Sequence, residues 1–268
     1  MMRICCALTV VWLAASSAAA ADAPVVRLHA AGSLRAAMTD MAKAYTELYG
    51  TRVEAVFGGS GGLQERLANG EPGDVFASAD MGNPQALTRI GKSGPTVMFA
   101  RNRLCALVRP GLKVTTETLL TTMLEPSVKI GTSTPKYDPA GDYAWELFKK
   151  ADLLRPGSRA TLEAKAVKIG NVPGSLAIPA SVTNAVAWLF QEKRADIFLS
   201  YCTSAPAAES AGITILSLPP ALQVEARYGL TILTSANKEA AGQFALYILS
   251  PAGQEILAQH GFTAPLLP

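Results

Sequence analysis

Ser33 and Ser60 each stand where a β-rich stretch runs out into glycine and a helical apolar pattern begins. The first junction reads Val25-Val26-Arg27-Leu28-His29-Ala30-Ala31-Gly32-Ser33-Leu34, the second Val53-Glu54-Ala55-Val56-Phe57-Gly58-Gly59-Ser60-Gly61-Gly62-Leu63. A helix that starts at a strand end leaves backbone N–H groups unpaired and pointing outward, at the positive end of the helix dipole. A serine there adds a hydroxyl donor. One such corner is an ordinary N-cap, but two from consecutive βα units can converge on a small anion without any Lys or Arg.

The elements that must position these serines follow from periodicity. Val25–Ala30, Val53–Phe57 and Asp74–Ser78 read as strands. Between the first two, Leu34, Met38, Met41, Tyr45 and Leu48 recur at three or four residues and mark one helical face, ended by Gly50. Strand alternating with helix predicts a parallel sheet with right-handed crossovers. Further on, strands are expected at Cys105–Val108, Lys129–Gly131, Asp196–Ser200 and Tyr228–Thr234, and helices at Asp142–Ala151, Val182–Lys193, Lys238–Leu249 and Gly253–His260. The late strand after a second α/β block predicts a discontinuous first domain, residues 22–104 rejoined by 229–268, with 105–228 as the second. In such sheets ligands sit outside the carboxyl ends of the strands, where both serine corners lie.

The beginning of the chain is a separate object. Arg3, an apolar run through Leu13 to Ala15 and the small residues Ser16 to Ala21 read as a secretory signal peptide, residues 1–21, too short for a stable membrane span. Cys5 and Cys6 leave with it, so a free periplasmic protein is expected, not a lipoprotein. A net charge of +3 without a basic run argues against nucleic acid as a partner. Cys105 and Cys202 remain; in an oxidising compartment they form one disulfide or stay two buried thiols, and both readings are open. A disulfide between neighbouring strand ends would brace Tyr201.

Several stretches are similar to known proteins: H-A-A-G-S-L at Ser33, F-G-G-S-G-G-L at Ser60, G-D-V-F-A-S-A-D from Gly73 to Asp80, D-P-A-G-D-Y-A from Asp138, L-S-Y-C-T-S-A from Leu199, and the terminal S-P-A-G-Q-E-I-L. In this order, across nearly the whole mature chain, they resemble the periplasmic molybdate-binding proteins, the solute-capturing subunits of molybdate ABC importers. The resemblance implies an α/β, two-lobed periplasmic binding protein fold of type II, each lobe a mostly parallel sheet flanked by helices. It implies a monomer that closes on molybdate or tungstate and hands it to an inner-membrane permease, with no catalytic residue, permanent cofactor or free metal cation. Carried over position by position, the oxyanion donors are the hydroxyls of Ser33, Ser60 and Tyr201 and the backbone amides of Ala140 and Val182. The chain departs from the family pattern at Arg35, at Asp138 and Asp142 flanking the P-A-G turn, and at Cys202 beside the tyrosine.

Two other classes compete. G-G-S-G-G also fits the nucleophile elbow of a secreted serine hydrolase, with Ser60, Asp196 and His260 in the right chain order. Against it, no oxyanion-hole motif precedes the elbow, and His260 falls in a terminal helix of structural type. A two-lobed binder of another oxyanion or small solute, or a sensor, is the remaining alternative. His29 and His260 have no histidine–carboxylate spacing of a metal site, and His29 reads as a packing residue.

Overall fold

Alternating branched and small residues in Val25–Ala31 (β1) and Arg52–Gly58 (β2) pair in parallel, in a register that sets Ala31 opposite Gly58. The two serine corners are therefore side by side at one edge of the sheet before any side chain is considered. The structure is a computed structural model that describes residues 24–170, 172–204 and 208–265; the signal segment lies outside the described residues.

Helix α1 (Arg35–Tyr49) buries Ala37, Met38, Met41 and Tyr45 against the sheet and stops at Gly50, whose φ of 68° is the left-handed cap that glycine adopts without a Cβ penalty. Leu48, expected on the same face, is 65% exposed at the helix end. After β2 come α2 (Ser60–Ala68), β3 (Val75–Ser78) and α3 (Gly82–Arg89). β3 lies parallel to β1 on its other side.

The next strand, β4 (Val97–Val108), runs through both halves of the molecule. Its first part, Val97–Arg103, pairs antiparallel with a late strand, Glu225–Ile232; from Leu104 to Val108 it pairs antiparallel with Ile197–Tyr201 and, on its other edge, with Thr214–Ser217. Between these come α4 (Leu119–Leu124), β5 (Ile130–Ser133), α5 (Pro139–Leu154), α6 (Ser158–Lys165), β6 (Ala166–Ile169) and α7 (Ala185–Gln191). The remaining strands are β7 (Ile197–Tyr201), β8 (Thr214–Ser217) and β9 (Glu225–Ile232), followed by α8 (Lys238–Leu249) and α9 (Pro251–Gln259). The strand order is β2-β1-β3-β9-β4-β7-β5-β6, with β8 on β4.

The sheet is thus mixed: parallel at β2-β1-β3 and at β7-β5-β6, antiparallel around β4 and β9. Each half holds the expected parallel block, and the antiparallel pairs come from β4 and β9, which connect the halves and run in opposite directions through the centre. One core of aliphatic and aromatic side chains extends from Val26 and Met38 to Phe148 and Leu199. A smaller cluster around Leu189, Phe190 and Phe198 fixes α7 to the second half. Cys105 and Cys202 form a disulfide with Cα atoms 5.0 Å apart, which ties the end of β7 to β4.

Candidate functional site

Both halves contribute to a cavity of about 410 Å³. From the first half come Ala31, Gly32 and Ser33; from the second come Ser133, Asp138, Ala140, the Thr183–Val186 stretch and Tyr201. Among the described residues, no Lys, Arg or His lines it. A separate cavity of about 570 Å³ shares none of these residues; there Arg109 is paired with Asp196, and Lys129 donates to the Lys193 carbonyl.

Ser33 sits in the tight turn Gly32–Leu34 that follows β1. Its Oγ lies 2.9 Å from the Tyr228 hydroxyl. The side-chain amide of Asn102 donates to both Tyr228 Oη (3.3 Å) and Thr203 Oγ1 (2.9 Å), while Asn102 Oδ1 accepts the Arg103 amide at 2.8 Å. Because Asn102 Nδ2 can only donate, the Tyr228 oxygen accepts that bond, and the Tyr228 proton goes to Ser33 or to the neighbouring Tyr201 hydroxyl. Where Tyr228 donates to Ser33, the Ser33 proton is left for a third partner. The chain of donors ends at the cavity. Neither Tyr228 nor Asn102 carried a signal in the sequence, since the first is one aromatic within a strand and the second lies between two arginines.

Ser60 opens α2 but does not line the cavity; it is fully buried, and its Oγ accepts the Ala79 amide at 3.0 Å. That bond uses the Ser60 oxygen and leaves the Ser60 hydroxyl proton free to donate. Gly59 and Gly61 are fixed by close approach. The Tyr137 carbonyl accepts both the Gly61 amide (2.9 Å) and the Gly62 amide (3.3 Å), and a Cβ on Gly61 would stand 1.9 Å from the Lys136 carbonyl oxygen. This glycine run docks the first half onto the loop after β5. Tyr143 Oη, on α5, donates to the Ala79 carbonyl at 3.1 Å and makes a second contact between the halves.

Asp138 is the N-cap of α5, and its Oδ1 accepts the Ala140 amide at 3.0 Å. The Ala140 N–H is therefore shared with an acid of its own chain. Burial pushes the Asp138 carboxyl above the usual carboxylate range; bonds from Ala140 and the Ser133 hydroxyl oppose the shift, and the charge of Asp80 adds to it. Asp142 is also raised by burial, but it holds the Lys136 amide with both oxygens at 3.1 Å and does not line the cavity. Arg35 stacks over the Phe57 ring, 4.5 Å from its centroid, and is likewise absent from the cavity wall.

Val182 does not line the cavity: its amide donates to the Pro179 carbonyl at 2.9 Å in a turn. The wall there is made by Thr183 to Val186, with Asn184 capping α7 through a bond from the Ala187 amide. The expected helix at Val182–Lys193 starts three residues late because Asn184, the better N-cap, ends the turn. Tyr201 closes the opposite wall. Only 4% exposed, its hydroxyl makes no well-formed hydrogen bond among the described residues although the Tyr228 hydroxyl is its neighbour, and burial raises it well above the ordinary tyrosine range. A buried hydroxyl without a partner costs about 1–3 kcal/mol unless something else bonds it.

The hydrolase arrangement is not assembled. Asp196 is paired with Arg109, His260 bonds Asp40 at 2.8 Å, and Ser60 bonds Ala79. His29 is buried under the sheet and reaches Glu71 at 3.1 Å, and Glu71 is also paired with Arg66. No group of three or more His, Cys, Asp or Glu suited to a cation occurs among the described residues. No described helix is long and apolar enough to cross a membrane.

Known proteins share this architecture and sequence. An uncharacterized protein of Pasteurella multocida is 34% identical over 239 residues, covering 88% of this chain and 98% of its own. The molybdate-binding protein ModA of Escherichia coli is 25% identical over 254 residues, 91% of each chain. The sulfate-binding protein SubI of Mycobacterium tuberculosis superimposes with a TM-score of 0.73 at 19% identity, over 90% of this chain and 87% of that one. The family of bacterial extracellular solute-binding proteins matches residues 26–263. With that match over nearly all of the described fold, the chain belongs to the bacterial extracellular solute-binding proteins, which hold a solute and do not transform it.

Proposed function

We propose that this protein captures a tetrahedral oxyanion, molybdate or tungstate, in the cavity between its halves and delivers it to an inner-membrane ABC permease from the periplasm. The observation that carries the reading is the cavity wall itself: it holds no basic residue among the described residues, Tyr201 presents a buried hydroxyl without a well-formed hydrogen bond, and the Ser33 hydroxyl is held there by Tyr228 and Asn102. Such donors suit a ligand made only of acceptors. The sequence likeness to a molybdate-binding protein along 91% of each chain supports the choice of anion.

Neutral donors are adequate for the task. A hydrogen bond to a charged group contributes about 1.5–3 kcal/mol, and a helix terminus about 0.3–1 kcal/mol, more when partly buried. Four or five such contacts reach micromolar affinity, about 8 kcal/mol, after closure costs. The site set we propose is Ser33, Ser60, Ala140, Val182 and Tyr201. Val182 enters it through the turn it shares with Thr183, and Ser60 if closure brings its proton to the ligand. We further propose that residues 22–104 with 229–268 move as one lobe and 105–228 as the other. The ribbon in which Ala100–Arg103 pairs with Glu225–Tyr228 would serve as hinge. The donors are divided between the halves, so the anion favours the closed arrangement.

A thermal-shift series with molybdate, tungstate, sulfate and phosphate tests the reading. A ligand at a hundred times its Kd adds about 2.7 kcal/mol of stability. Molybdate and tungstate are expected to raise Tm at concentrations where sulfate and phosphate do little. A rise with sulfate or phosphate alone would assign the cavity to those anions, and no rise with any would reject an oxyanion role.

A further inference from the structure

Asp138 is an acid in a cavity whose wall, among the described residues, holds no cation. The groups around it are neutral or negative. Ser33 comes from the turn after β1, Ser133 from β5, Thr183 and Asn184 from the approach to α7, and Tyr201 from β7. The charge of Asp80, after β3, also acts on it, and the raised Asp142 and the neutral Tyr143 stand on α5 itself. Lys136, the nearest basic residue in the sequence, acts on Asp142. An ionised carboxylate in this position would repel a doubly charged anion with nothing to offset it. Helix capping does not require ionisation, because asparagine caps a helix as well as aspartate does. The buried Tyr201 hydroxyl on the same wall, without a well-formed hydrogen bond, marks independently where a ligand atom belongs.

Resting on the oxyanion reading above, we propose that Asp138 and the bound oxyanion share one proton, so that this cavity takes a doubly charged tetrahedral anion only together with one proton held between the two. For a fully deprotonated anion such as molybdate or sulfate, the acid form of the buffer supplies the proton and is left as its conjugate base. The proton adds to the free carboxylate, and the resulting carboxyl O–H donates a hydrogen bond to an anion oxygen. Hydrogen phosphate brings the proton itself, and its own O–H donates to ionised Asp138. No covalent bond of the ligand changes. Desolvation in the cavity and the charge of Asp80 both favour the protonated carboxyl, in the same direction as the proposal.

Single-proton linkage makes the molybdate Kd rise tenfold per pH unit above the pH at which Asp138 ionises in the free protein. The test is calorimetric titration of the mature protein with sodium molybdate, sulfate and phosphate from pH 6 to 9, in pairs of buffers that differ in ionisation heat, for wild type and Asp138→Asn. Wild type is expected to show the tenfold-per-unit weakening for molybdate and sulfate in the upper part of the range. Uptake should approach one proton per anion there, and the phosphate-to-molybdate preference should increase with pH. Asp138→Asn is expected to bind molybdate with a pH-independent Kd and no proton uptake. A wild-type Kd without slope or uptake, or an Asp138→Asn protein that retains the slope, would overturn the proposal while leaving oxyanion binding intact. Absence of heat with all three anions at pH 6 would remove the oxyanion reading and this proposal with it. If circular dichroism finds Asp138→Asn unfolded, the wild-type slopes and proton counts decide alone.

Discussion

Ser33 shows how a hydroxyl is oriented by groups behind it. Asn102 donates to Tyr228, and Tyr228 shares a bond with Ser33, so the Ser33 hydroxyl is held at the cavity wall. Ser33→Ala is therefore expected to weaken oxyanion binding by about 1–3 kcal/mol, and Tyr201→Phe by a similar amount, both measured by calorimetry with the melting temperature of the free protein near wild type. The serine was legible in the sequence because a strand-to-helix junction announces itself locally. The relay behind it was not, because Asn102 and Tyr228 are 126 residues apart and meet only through the β4–β9 ladder. Local matching also places a helix start at Val182, but Asn184 holds the cap and α7 begins at Ala185. At the far side of the sheet, Glu71 is pulled down to about 2 by bonds from Arg66 and then His29. Its contribution to stability is thus fully present above the normal carboxylate range and is lost as pH falls from about 4.5 toward 2. Acid melts of Glu71→Gln should lack that part of the wild-type decline, and identical acid profiles would count against it.

Elements carry the next level of control. The glycine run at the start of α2 lets the Lys136–Tyr137 carbonyls approach, so Gly61→Ala, whose Cβ would stand 1.9 Å from the Lys136 carbonyl oxygen, must push the halves apart there. Alanine is the better helix former by about 1 kcal/mol, which offsets only part of that clash, so the free protein should melt below wild type and molybdate affinity should drop at least tenfold. Unchanged affinity would show that the halves need not dock there. The Cys105–Cys202 bond closes a sequence separation of 97 residues and anchors the strand end that carries Tyr201. Its removal in Cys105→Ala/Cys202→Ala should cost about 2–5 kcal/mol in urea unfolding and weaken binding. Helix α8 was legible to its end residues, from Lys238 to Leu249. The full length of β4 was not: Arg101, Asn102 and Arg103 interrupt its apolar pattern exactly where it passes between the halves, so only Cys105–Val108 read as a strand. The short strands β6 and β8 also escaped, being four residues each with half-exposed side chains and no alternation strong enough to mark them.

At the scale of the molecule, two parallel blocks joined through an antiparallel centre give a cavity whose walls belong to different halves. The α/β character and the side-by-side serine corners follow from the order of strands and helices, and these could be read before the coordinates. The third dimension of the cavity could not, because Asp138, Thr183 and Tyr201 are brought to Ser33 only by the crossing of β4 and β9. If the proposed hinge works, molybdate should reduce the radius of gyration in X-ray scattering, and Gly61→Ala should blunt that change. The account rests most directly on one titration: calorimetry of dialysed mature protein with molybdate at pH 6. It predicts one site per chain, micromolar or tighter, displaced by tungstate and weakened by Tyr201→Phe. Saturable binding that is indifferent to Tyr201, or no binding, would contradict it.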